Sequence, residues 1–153
     1  MKIAQHLSKR ELEHSNTAIQ RGLGNIIPEG HYRNMFLLAA VFEVVRGILK
    51  HRPLRISSGY RGPVLNKAVG GAKSSDHCYT AAIDIVPRNM STEMAMRLLV
   101  QKLPKTLYRI MIIERHGSSR WIHISIPSSR RPGTGKLLRY TNGTYTKYKG
   151  FMK

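Results

Sequence analysis

The sequence predicts an α+β fold, in which N-terminal helices pack on an antiparallel sheet within a small single domain. The chain has 153 residues, about the size of one domain, and 41% of them are hydrophobic, close to the average of globular proteins. A long stripe of apolar residues at helical spacing comes first along the chain, and short strand-like runs with one helix between them follow. We therefore predict one domain over residues 1–153, with residues 128–153 as a basic C-terminal extension that contains a hairpin.

Two helices are predicted in the first third of the chain. Ser8 and Glu11 have the spacing of a capping box, so a short helix begins at Lys9. The second helix runs over residues 32–50 and ends before Pro53, because proline cannot continue it. Its apolar residues recur every three or four positions, at Met35, Leu38, Ala39, Phe42, Val45, Ile48 and Leu49.

Strands and short helices alternate over the rest of the chain. Apolar runs and turn residues mark each element, and Asn142-Gly143 is the dipeptide typical of tight hairpins. In chain order we predict a strand at 54–57, a short helix that begins at Pro63, a buried strand at 81–86, a helix at 92–102 capped by Ser91, strands at 107–114 and 121–126, and a hairpin within 139–148.

The chain is strongly basic. Lysine and arginine number 26 and aspartate and glutamate 8, which gives a net charge of +18. All eight acidic residues lie between Glu11 and Glu114, and residues 128–153 carry seven cations and no acid. Such a chain attracts polyanions, such as nucleic acid or anionic cell-wall polymers, but its sequence contains no motif that reads bases. The basic residues form either a solvated surface or a tail that docks on a polyanion.

Cysteine usage and hydropathy exclude disulfide-rich and membrane-spanning proteins. Cys78 is the only cysteine, so neither an intrachain disulfide nor a thiolate-rich metal cluster can form. Charged residues such as Glu43, Arg46 and Arg97 interrupt the apolar runs before the ~18 residues that a membrane span needs. Residues 1–10 lack an apolar core, so we expect no standard secretory signal peptide.

Three polar residues occur where they need a partner. His77 follows a loop rich in glycine and serine, and Asp84 lies inside an apolar strand, where a carboxylate costs on the order of several kcal/mol unless it is paired or binds a metal. In the strand that contains His123, isoleucines alternate with Trp121, His123 and Ser125, which therefore share the other face. Two imidazoles and one carboxylate form the ligand set of a catalytic zinc with an open fourth position.

The residues alone leave a second interpretation of these three positions. Asp84 and one histidine could form a buried pair, with the other histidine satisfied elsewhere in the fold. The remaining histidines lie among polar or loop residues and resemble surface histidines: His6, His14, His31, His51 and His116.

Five short motifs follow one another along the chain: ISSGYR at 56–61, LNKAVGG at 65–71, SDH at 75–77, AIDI at 82–85 and WIHIS at 121–125. Their order and spacing resemble those of the zinc peptidases of the D-alanyl-D-alanine carboxypeptidase type, peptidase family M15, and most closely its small phage and bacterial members. The resemblance extends over about residues 5–127. It implies a small α+β domain, similar to hedgehog domains, whose antiparallel sheet holds the zinc ion.

The resemblance also implies roles for individual residues. His77, Asp84 and His123 correspond to the zinc ligands of the family. Arg61 matches the family arginine that neutralises a substrate carboxylate, and Ser75 matches a serine beside the first ligand that contacts the substrate.

Two positions depart from the family pattern. Thr80 stands three residues after the first histidine, where the family often has glycine. Arg120 stands three residues before the last histidine, where many members have an acidic base, and an arginine cannot accept a proton from water. Tyr60 and Trp121 are further candidates for walls of the substrate site, with ordinary packing as the alternative.

Glu114 is the first candidate for the missing base. If the strands on either side of residues 115–120 pair as an antiparallel hairpin, Glu114 lies opposite Trp121 and Ile112 lies opposite His123. Glu114 and His123 then share a face as diagonal neighbours, close enough for the carboxylate to reach a water molecule at the zinc site. A shift of one residue in this pairing would move Glu114 to the other face.

Alternatives to this assignment stay open. Asp76, next to the first ligand, is the second candidate for the base, unless it caps the loop or supports a ligand. Glu114 could instead form a surface salt bridge with Arg115 or Arg120. In the family members that this chain most resembles, a glutamate also ends the strand, and this adds to the case for Glu114.

The resemblance implies a zinc-dependent peptidase that hydrolyses amide bonds in the stem peptides of peptidoglycan, as a D,D-carboxypeptidase or an endopeptidase. We expect Zn²⁺ as the cofactor and a monomer whose basic surface concentrates it on anionic cell-wall polymers. Such a chain fits a phage endolysin, made in the host cytoplasm and acting on the cell wall or in the periplasm, or a component of a virion. The alternatives are a non-catalytic zinc-binding domain of the same fold, for which hedgehog domains are a precedent, and a basic nucleic-acid-binding protein.

Overall fold

The computed structural model of the protein describes residues 1–50 and 53–150. His51, which the sequence indicates as a surface histidine, lies outside these ranges, as do the last three residues of the predicted C-terminal extension. None of the helices within the two ranges is long and apolar enough to span a membrane.

The predicted helices are present in the structure. The capping box is confirmed, because the Ser8 hydroxyl accepts from the backbone N–H of Glu11 and the Glu11 carboxylate accepts from the backbone N–H of Ser8. A short helix at Asn16–Arg21, capped by Ser15, was not predicted, because its six residues show little apolar periodicity. The α-helices are α1 (Lys9–Glu13), α2 (Asn16–Arg21), α3 (Tyr32–Ile48), α4 (Pro63–Ala68) and α5 (Thr92–Lys102), with 3₁₀ turns at Glu29–His31, Asp76–Tyr79 and Lys105–Leu107.

The strands form two sheets. β1 (Lys2–Ala4) and β2 (Leu7–Ser8), which were not predicted, pair with each other near α3. The larger sheet has six strands in the order β3-β4-β6-β5-β7-β8. Its strands are β3 (Leu54–Ser58), β4 (Ala82–Pro87), β5 (Ile110–His116), β6 (Ser119–Ser125), β7 (Lys136–Thr141) and β8 (Thr144–Lys147).

The large sheet is mixed, so the prediction of an antiparallel sheet is wrong at one pair of strands. β5 and β7 run parallel, whereas the other neighbours run antiparallel. Ser125 at the end of β6 pairs with Ile110 at the start of β5, and the chain then crosses to the other side of β5, where Lys136 lies beside Ile110. β7 therefore starts at the same end of the sheet as β5, and the two strands run in the same direction.

One face of the large sheet packs against α3 and α5 and forms the hydrophobic core. The strand residues of this face are opposite one another across the sheet, and each is at most 4% exposed. Burial of such side chains contributes about 1.5–3 kcal/mol each. They are Ile83 and Ile85 of β4, Ile122 and Ile124 of β6, and Met111 and Ile113 of β5, and they pack with Leu38, Phe42 and Val45 of α3 and Met96 and Leu99 of α5. The residues between them face away from these helices.

β7 and β8 form the hairpin that the sequence predicts at Asn142-Gly143. These two residues have φ angles of 45° and 98°, as tight two-residue hairpin turns require. Arg139 on β7 makes a bidentate ion pair with Glu93 in the first turn of α5, with N···O distances of 2.5 and 3.2 Å. The hairpin is therefore joined both to the sheet, through β5, and to the helical layer.

Candidate metal centre

Asp84 and two histidines meet on the sheet face that points away from α3 and α5. Asp84 on β4 lies directly opposite His123 on β6, and His77 lies in the 3₁₀ turn that precedes β4. The Asp84 Oδ1 atom is 3.2 Å from His77 Nε2 and 2.9 Å from His123 Nδ1. One ligand atom from each residue can be chosen so that all three lie within 4.8 Å of one another. The three candidate ligands therefore converge on one point.

His77 is oriented through its second ring nitrogen. The Nδ1 atom lies 2.7 Å from the backbone carbonyl oxygen of Gly59. Because a carbonyl oxygen only accepts hydrogen bonds, Nδ1 carries the proton and Nε2 presents its lone pair to the site. A Cβ atom on Gly59 would lie 2.4 Å from the backbone oxygen of Leu12, so the chain requires glycine at the position that holds His77.

His123 has a corresponding contact on its far side. Its Nε2 atom lies 2.6 Å from the hydroxyl oxygen of Ser125, which can accept the ring proton and leave the Nδ1 lone pair for the site. Ser125 shares a face of β6 with His123, as the alternation of the sequence predicts, and is fully buried. Both imidazoles thus have the outer hydrogen bond that orients metal-ligating histidines.

The protonation states of the three groups depend on one another. For Asp84, burial favours the neutral acid, but the adjacent His77 and His123 outweigh it and hold the pKa of the carboxyl well below its ordinary value. Burial lowers the pKa of His77. Burial also disfavours the charged form of His123, but its hydrogen bond to Asp84 and the charge of that carboxylate prevail and raise the pKa. An anionic carboxylate beside a neutral histidine is a state that metal binding needs.

The donor set fits a zinc ion. Two imidazole nitrogens and one carboxylate oxygen are typical zinc ligands, and three protein ligands leave a position for a reactant. A structural Asp–His pair would need only one imidazole. Here both imidazoles approach the same oxygen of Asp84, and each has a separate hydrogen bond on its other nitrogen. The geometry therefore favours a metal site over a simple pair.

Thr80 has a backbone conformation that favours glycine. Its φ of 58° and ψ of 32° lie in the left-handed region, where it ends the turn that carries His77. The residue is fully buried, and its hydroxyl lies 3.1 Å from Nδ1 of His31. Burial of the side chain and its contact with His31 stabilise threonine in this conformation, at a position where the family pattern often has glycine. His31, indicated by the sequence as a surface histidine, is instead partly buried, and burial lowers its pKa.

Arg61 enters the site from the loop after β3, and its hydrogen-bonding partners in the described part of the chain are neutral. Because neutral partners do not offset its positive charge, such a guanidinium can bind a carboxylate. Its Nε donates to Asn66 Oδ1 at 3.1 Å, Nη1 to Ser58 Oγ at 3.3 Å and Nη2 to Ser75 Oγ at 3.3 Å.

Asn66 positions Arg61, and Gly71 leaves room for Asn66; neither was predicted as a site residue. Asn66 is 4% exposed, and its Nδ2 donates to the carbonyl oxygen of Ala72 at 2.9 Å. A Cβ atom on Gly71 would lie 2.1 Å from the Asn66 Oδ1 atom that accepts from Arg61. Both residues belong to the motif at 65–71, so this motif could have identified them as site residues.

Glu114 lies on the same face of the sheet as His123. The predicted register is confirmed, because Glu114 is opposite Trp121 and Ile112 is opposite His123. Only residues 117–118 separate the two strands, fewer than predicted, but both strands lengthen equally and the register is kept. Burial raises the pKa of Glu114 to about 7, although His123 acts to lower it.

A row of four side chains crosses the sheet at Glu114. In order they are Trp121 on β6, Glu114 on β5, Tyr140 on β7 and Tyr145 on β8. The rings of Tyr140 and Tyr145 are 4.9 Å apart between centroids, and His116 stacks on Tyr140 at 6.4 Å. Glu114 thus has an aromatic residue opposite it on each neighbouring strand, consistent with its partial burial.

Asp76, the second candidate for the base, is bound by arginines. Its Oδ2 atom accepts from Nε and Nη2 of Arg109 at 3.0 and 2.5 Å, and its Oδ1 atom accepts from Nη2 of Arg130 at 2.8 Å. Its side chain is 3% exposed. Because both carboxylate oxygens are engaged by charged donors, the arrangement favours Glu114 over Asp76 as a proton acceptor.

The remaining predicted residues lie in different places. Trp121 and Ser75 belong to the surroundings of the candidate ligands, Trp121 as a wall of their cavity and Ser75 through Arg61. Tyr60 is 5% exposed, packs in the core and lines a neighbouring cavity with His31, which supports the packing alternative for this residue. Arg120 lies opposite Arg115, and its odd spacing from His123 places it on the other face of β6.

The candidate ligands lie in a cavity of about 430 cubic ångströms. Sequence reasoning missed several of its lining residues, because no motif marks them and because those after β6 reach the cavity only through the crossing of the chain to the other side of β5. The missed residues are Arg109, Ile110, Ile112, His116, Arg131, Tyr140 and Tyr145.

A family model described as Peptidase M15 matches residues 5–125, well over half of the chain. The matched segment contains the three candidate ligands together with Arg61 and Glu114, and it ends before Arg131. No curated protein matches the chain.

Proposed function

The chain belongs to the peptidase M15 family, whose members are zinc metallopeptidases, and we propose that it hydrolyses amide bonds in the stem peptides of peptidoglycan, as a D,D-carboxypeptidase or an endopeptidase. One observation carries this proposal: His77, Asp84 and His123 converge on one point, on the sheet face that also presents Glu114. We further propose that residues 1–153 form one peptidase domain, with the C-terminal hairpin as its extension.

In this proposal the three converging residues hold Zn²⁺. When bound, zinc polarises the scissile carbonyl and lowers the pKa of a water molecule towards ~7. Gly59 and Ser125 support this role of the protein, because they orient the two imidazoles through the nitrogens that face away from the site.

Glu114 acts as the general base and acid. Its carboxylate accepts a proton from the attacking water and then delivers it to the nitrogen of the leaving amine. Burial raises the pKa of Glu114 to about 7 in the metal-free protein, which supports this role because the carboxylate is more basic than that of an ordinary glutamate. We assign the base to Glu114 rather than Asp76 because Asp76 is occupied by Arg109 and Arg130.

Arg61 binds a carboxylate of the substrate. Its planar fork is held by three neutral side chains, Ser75 among them, and its positive charge is directed to the site cavity. A free carboxylate beside the scissile bond is what a carboxypeptidase meets, and stem peptides also carry side-chain carboxylates, so an endopeptidase could use the same contact. Trp121 forms part of the wall against which the substrate packs.

The charge of the protein supports a cell-wall location. A net charge of +18 concentrates a small protein on anionic wall polymers by long-range attraction. We propose a monomeric lytic enzyme of the phage type, made in a host cytoplasm and acting on the wall or in the periplasm, or carried by a virion.

Digestion of purified peptidoglycan tests the proposal. The zinc-loaded protein is expected to release amines, and mass analysis of the fragments identifies the bond as D,D, L,D or L-alanyl-D-glutamate. A chelator should stop the release, and added zinc should restore it. Zinc binding without any fragments would contradict the proposal and favour a non-catalytic domain of the same fold.

A nucleic-acid-binding function would give a different result in the same experiment. It rests on the net charge of +18 and needs no metal. Binding to DNA would survive the chelator and would weaken with salt by about 0.9 log units per phosphate contact. DNA binding of this kind, together with no digestion of the wall, would replace the peptidase proposal.

A further inference from the structure

Arg131 is the least engaged guanidinium at the site cavity. Its Nη1 atom lies 3.6 Å from Asp76 Oδ1, longer than a hydrogen bond, and its side chain is 34% exposed. The backbone N–H of Arg131 donates to Ser128, but within residues 1–50 and 53–150 its guanidinium donates no hydrogen bond. The side chain lines the same cavity as His77 and His123. Its donors are therefore available to a bound molecule.

Asp76 does not neutralise the arginines around it. Arg109 already occupies Oδ2 and Arg130 occupies Oδ1, and Arg130 also lies over the ring of Tyr79 at 3.7 Å. One carboxylate faces three guanidiniums here, which leaves two positive charges in excess. In a partly buried place such an excess attracts an anion more strongly than it would in water.

Arg61 and Arg131 lie at the same cavity, and each has unused capacity for an anion. Arg61 is held by neutral side chains, and Arg131 has only the distant Asp76. The cavity has a volume of about 430 cubic ångströms, which is in the size range of pockets that hold small ligands such as a short peptide. The fork of a guanidinium matches the two oxygens of a carboxylate, so a ligand with two carboxylates would use both arginines.

We propose that Arg131, one of three guanidiniums around the single carboxylate of Asp76, forms a second anion subsite that takes a free side-chain carboxylate of the substrate peptide while Arg61 takes another carboxylate. This inference rests on the proposed function and names the substrate class more narrowly, as stem peptides with a free acidic side chain. Arg131 lies beyond residue 125, where the family match ends, whereas its neighbour Asp76 lies within the matched segment.

Two stem peptides that differ only in a free or amidated acidic side chain test the subsite. For the zinc-loaded protein we expect kcat/KM to be about tenfold higher for the free acid, as a charge-assisted hydrogen bond at a partly exposed site would give. Arg131→Gln should bring this ratio close to one. Arg33→Gln, at an exposed position of α3, changes the net charge equally and should keep the ratio of the wild type.

A second variant keeps the test decisive. Arg131→Lys retains the charge but not the planar fork, so its ratio should lie between those of the wild type and Arg131→Gln. An unchanged ratio in both Arg131 variants, or a wild-type ratio near one, would overturn the subsite. If neither peptide is hydrolysed, the proposed function fails instead. Calorimetric titration of the same two peptides then tests the subsite through the ratio of their Kd values.

Discussion

Glu114 on β5 and Trp121 on β6 lie directly opposite each other. His123 is two residues beyond Trp121 and therefore faces the same side of the sheet as Glu114. Only residues 117–118 connect the paired strands, and a slip of one residue would turn Glu114 towards the helices. The candidate base and a candidate metal ligand are thus fixed relative to each other by backbone pairing rather than by a flexible loop.

Replacement of Glu114 should remove activity but not the metal. Glu114→Gln keeps the shape of the side chain and loses the proton acceptor, so we expect kcat/KM to fall by about 10²–10⁴. Release of amines from peptidoglycan measures activity, and atomic absorption measures zinc content, which should match the wild type. Glu29→Gln, at an exposed position, is the matched control and should retain activity. Full activity of Glu114→Gln would show that another group is the base.

Zinc should stabilise the fold through Asp84. At a free zinc concentration about 100 times Kd, binding adds about 2.7 kcal/mol to the free energy of unfolding, or roughly 5–10 °C in Tm for a chain of this size. Asp84→Asn should lose this response, whereas the exposed His14→Ala should keep it. Thermal melts with zinc and with chelator measure the shift. An equal shift for Asp84→Asn would place the metal elsewhere.

The stability of the metal-free protein should depend on pH through Glu114. The pKa of its carboxyl is raised from 4.5 to about 7, so the folded state holds this proton more tightly than the unfolded state. The resulting stabilisation is complete below the unfolded pKa and is lost as the pH rises through about 7. From about pH 5 to 8, the free energy of unfolding of the wild type should therefore fall relative to that of Glu114→Gln. Urea titrations with chelator measure both, and parallel pH curves would contradict the shift.

Arg61 should matter for its geometry as well as its charge. Arg61→Lys retains the charge but loses the fork that three neutral side chains hold in place, so we expect kcat/KM for peptides with a free carboxylate to fall about 10–100-fold. Zinc affinity should not change. Arg88→Lys, at an exposed position, is the control. A lysine variant as active as the wild type would remove Arg61 from the substrate contacts.

Gly59 should tolerate no larger residue. An alanine Cβ there would lie 2.4 Å from the backbone oxygen of Leu12, and backbone atoms cannot move aside as a flexible side chain can. Gly59→Ala should lower the free energy of unfolding by about 1–3 kcal/mol and weaken zinc binding, since the Gly59 carbonyl orients His77. Gly24→Ala, with no atom within 4 Å of its Cβ, should change stability little. Equal stability of the two variants would show that the chain relaxes around Gly59.

Local patterns in the sequence were sufficient for most elements and for the centre of the site. The capping box at Ser8, the apolar stripe of α3 and the alternation around His123 each depend on neighbouring residues, and each is present in the structure. The opposition of Glu114 and Trp121 could also be predicted, because a short connection leaves few registers for a hairpin.

Contacts between distant segments could not be predicted in the same way. The parallel pairing of β5 with β7 depends on how the chain crosses after β6, and no local pattern encodes that path. Tyr140, Tyr145 and Arg131 reach the cavity only through this crossing. The arginine contacts of Asp76 join positions more than 30 residues apart, so the carboxylate alone gave no indication of its partners.

The C-terminal hairpin lies beyond the family match, yet β7 pairs with β5 from Ile110 to Arg115. In a protein truncated to the matched residues, β5 would become an edge strand. Its unpaired backbone N–H and C=O groups would then be available to pair with strands of other chains. Glu114 would also lose its neighbour Tyr140, and water would reach its carboxylate. The truncated protein would then be prone to aggregate, and the pKa of Glu114 would be lower because water would solvate its charged form.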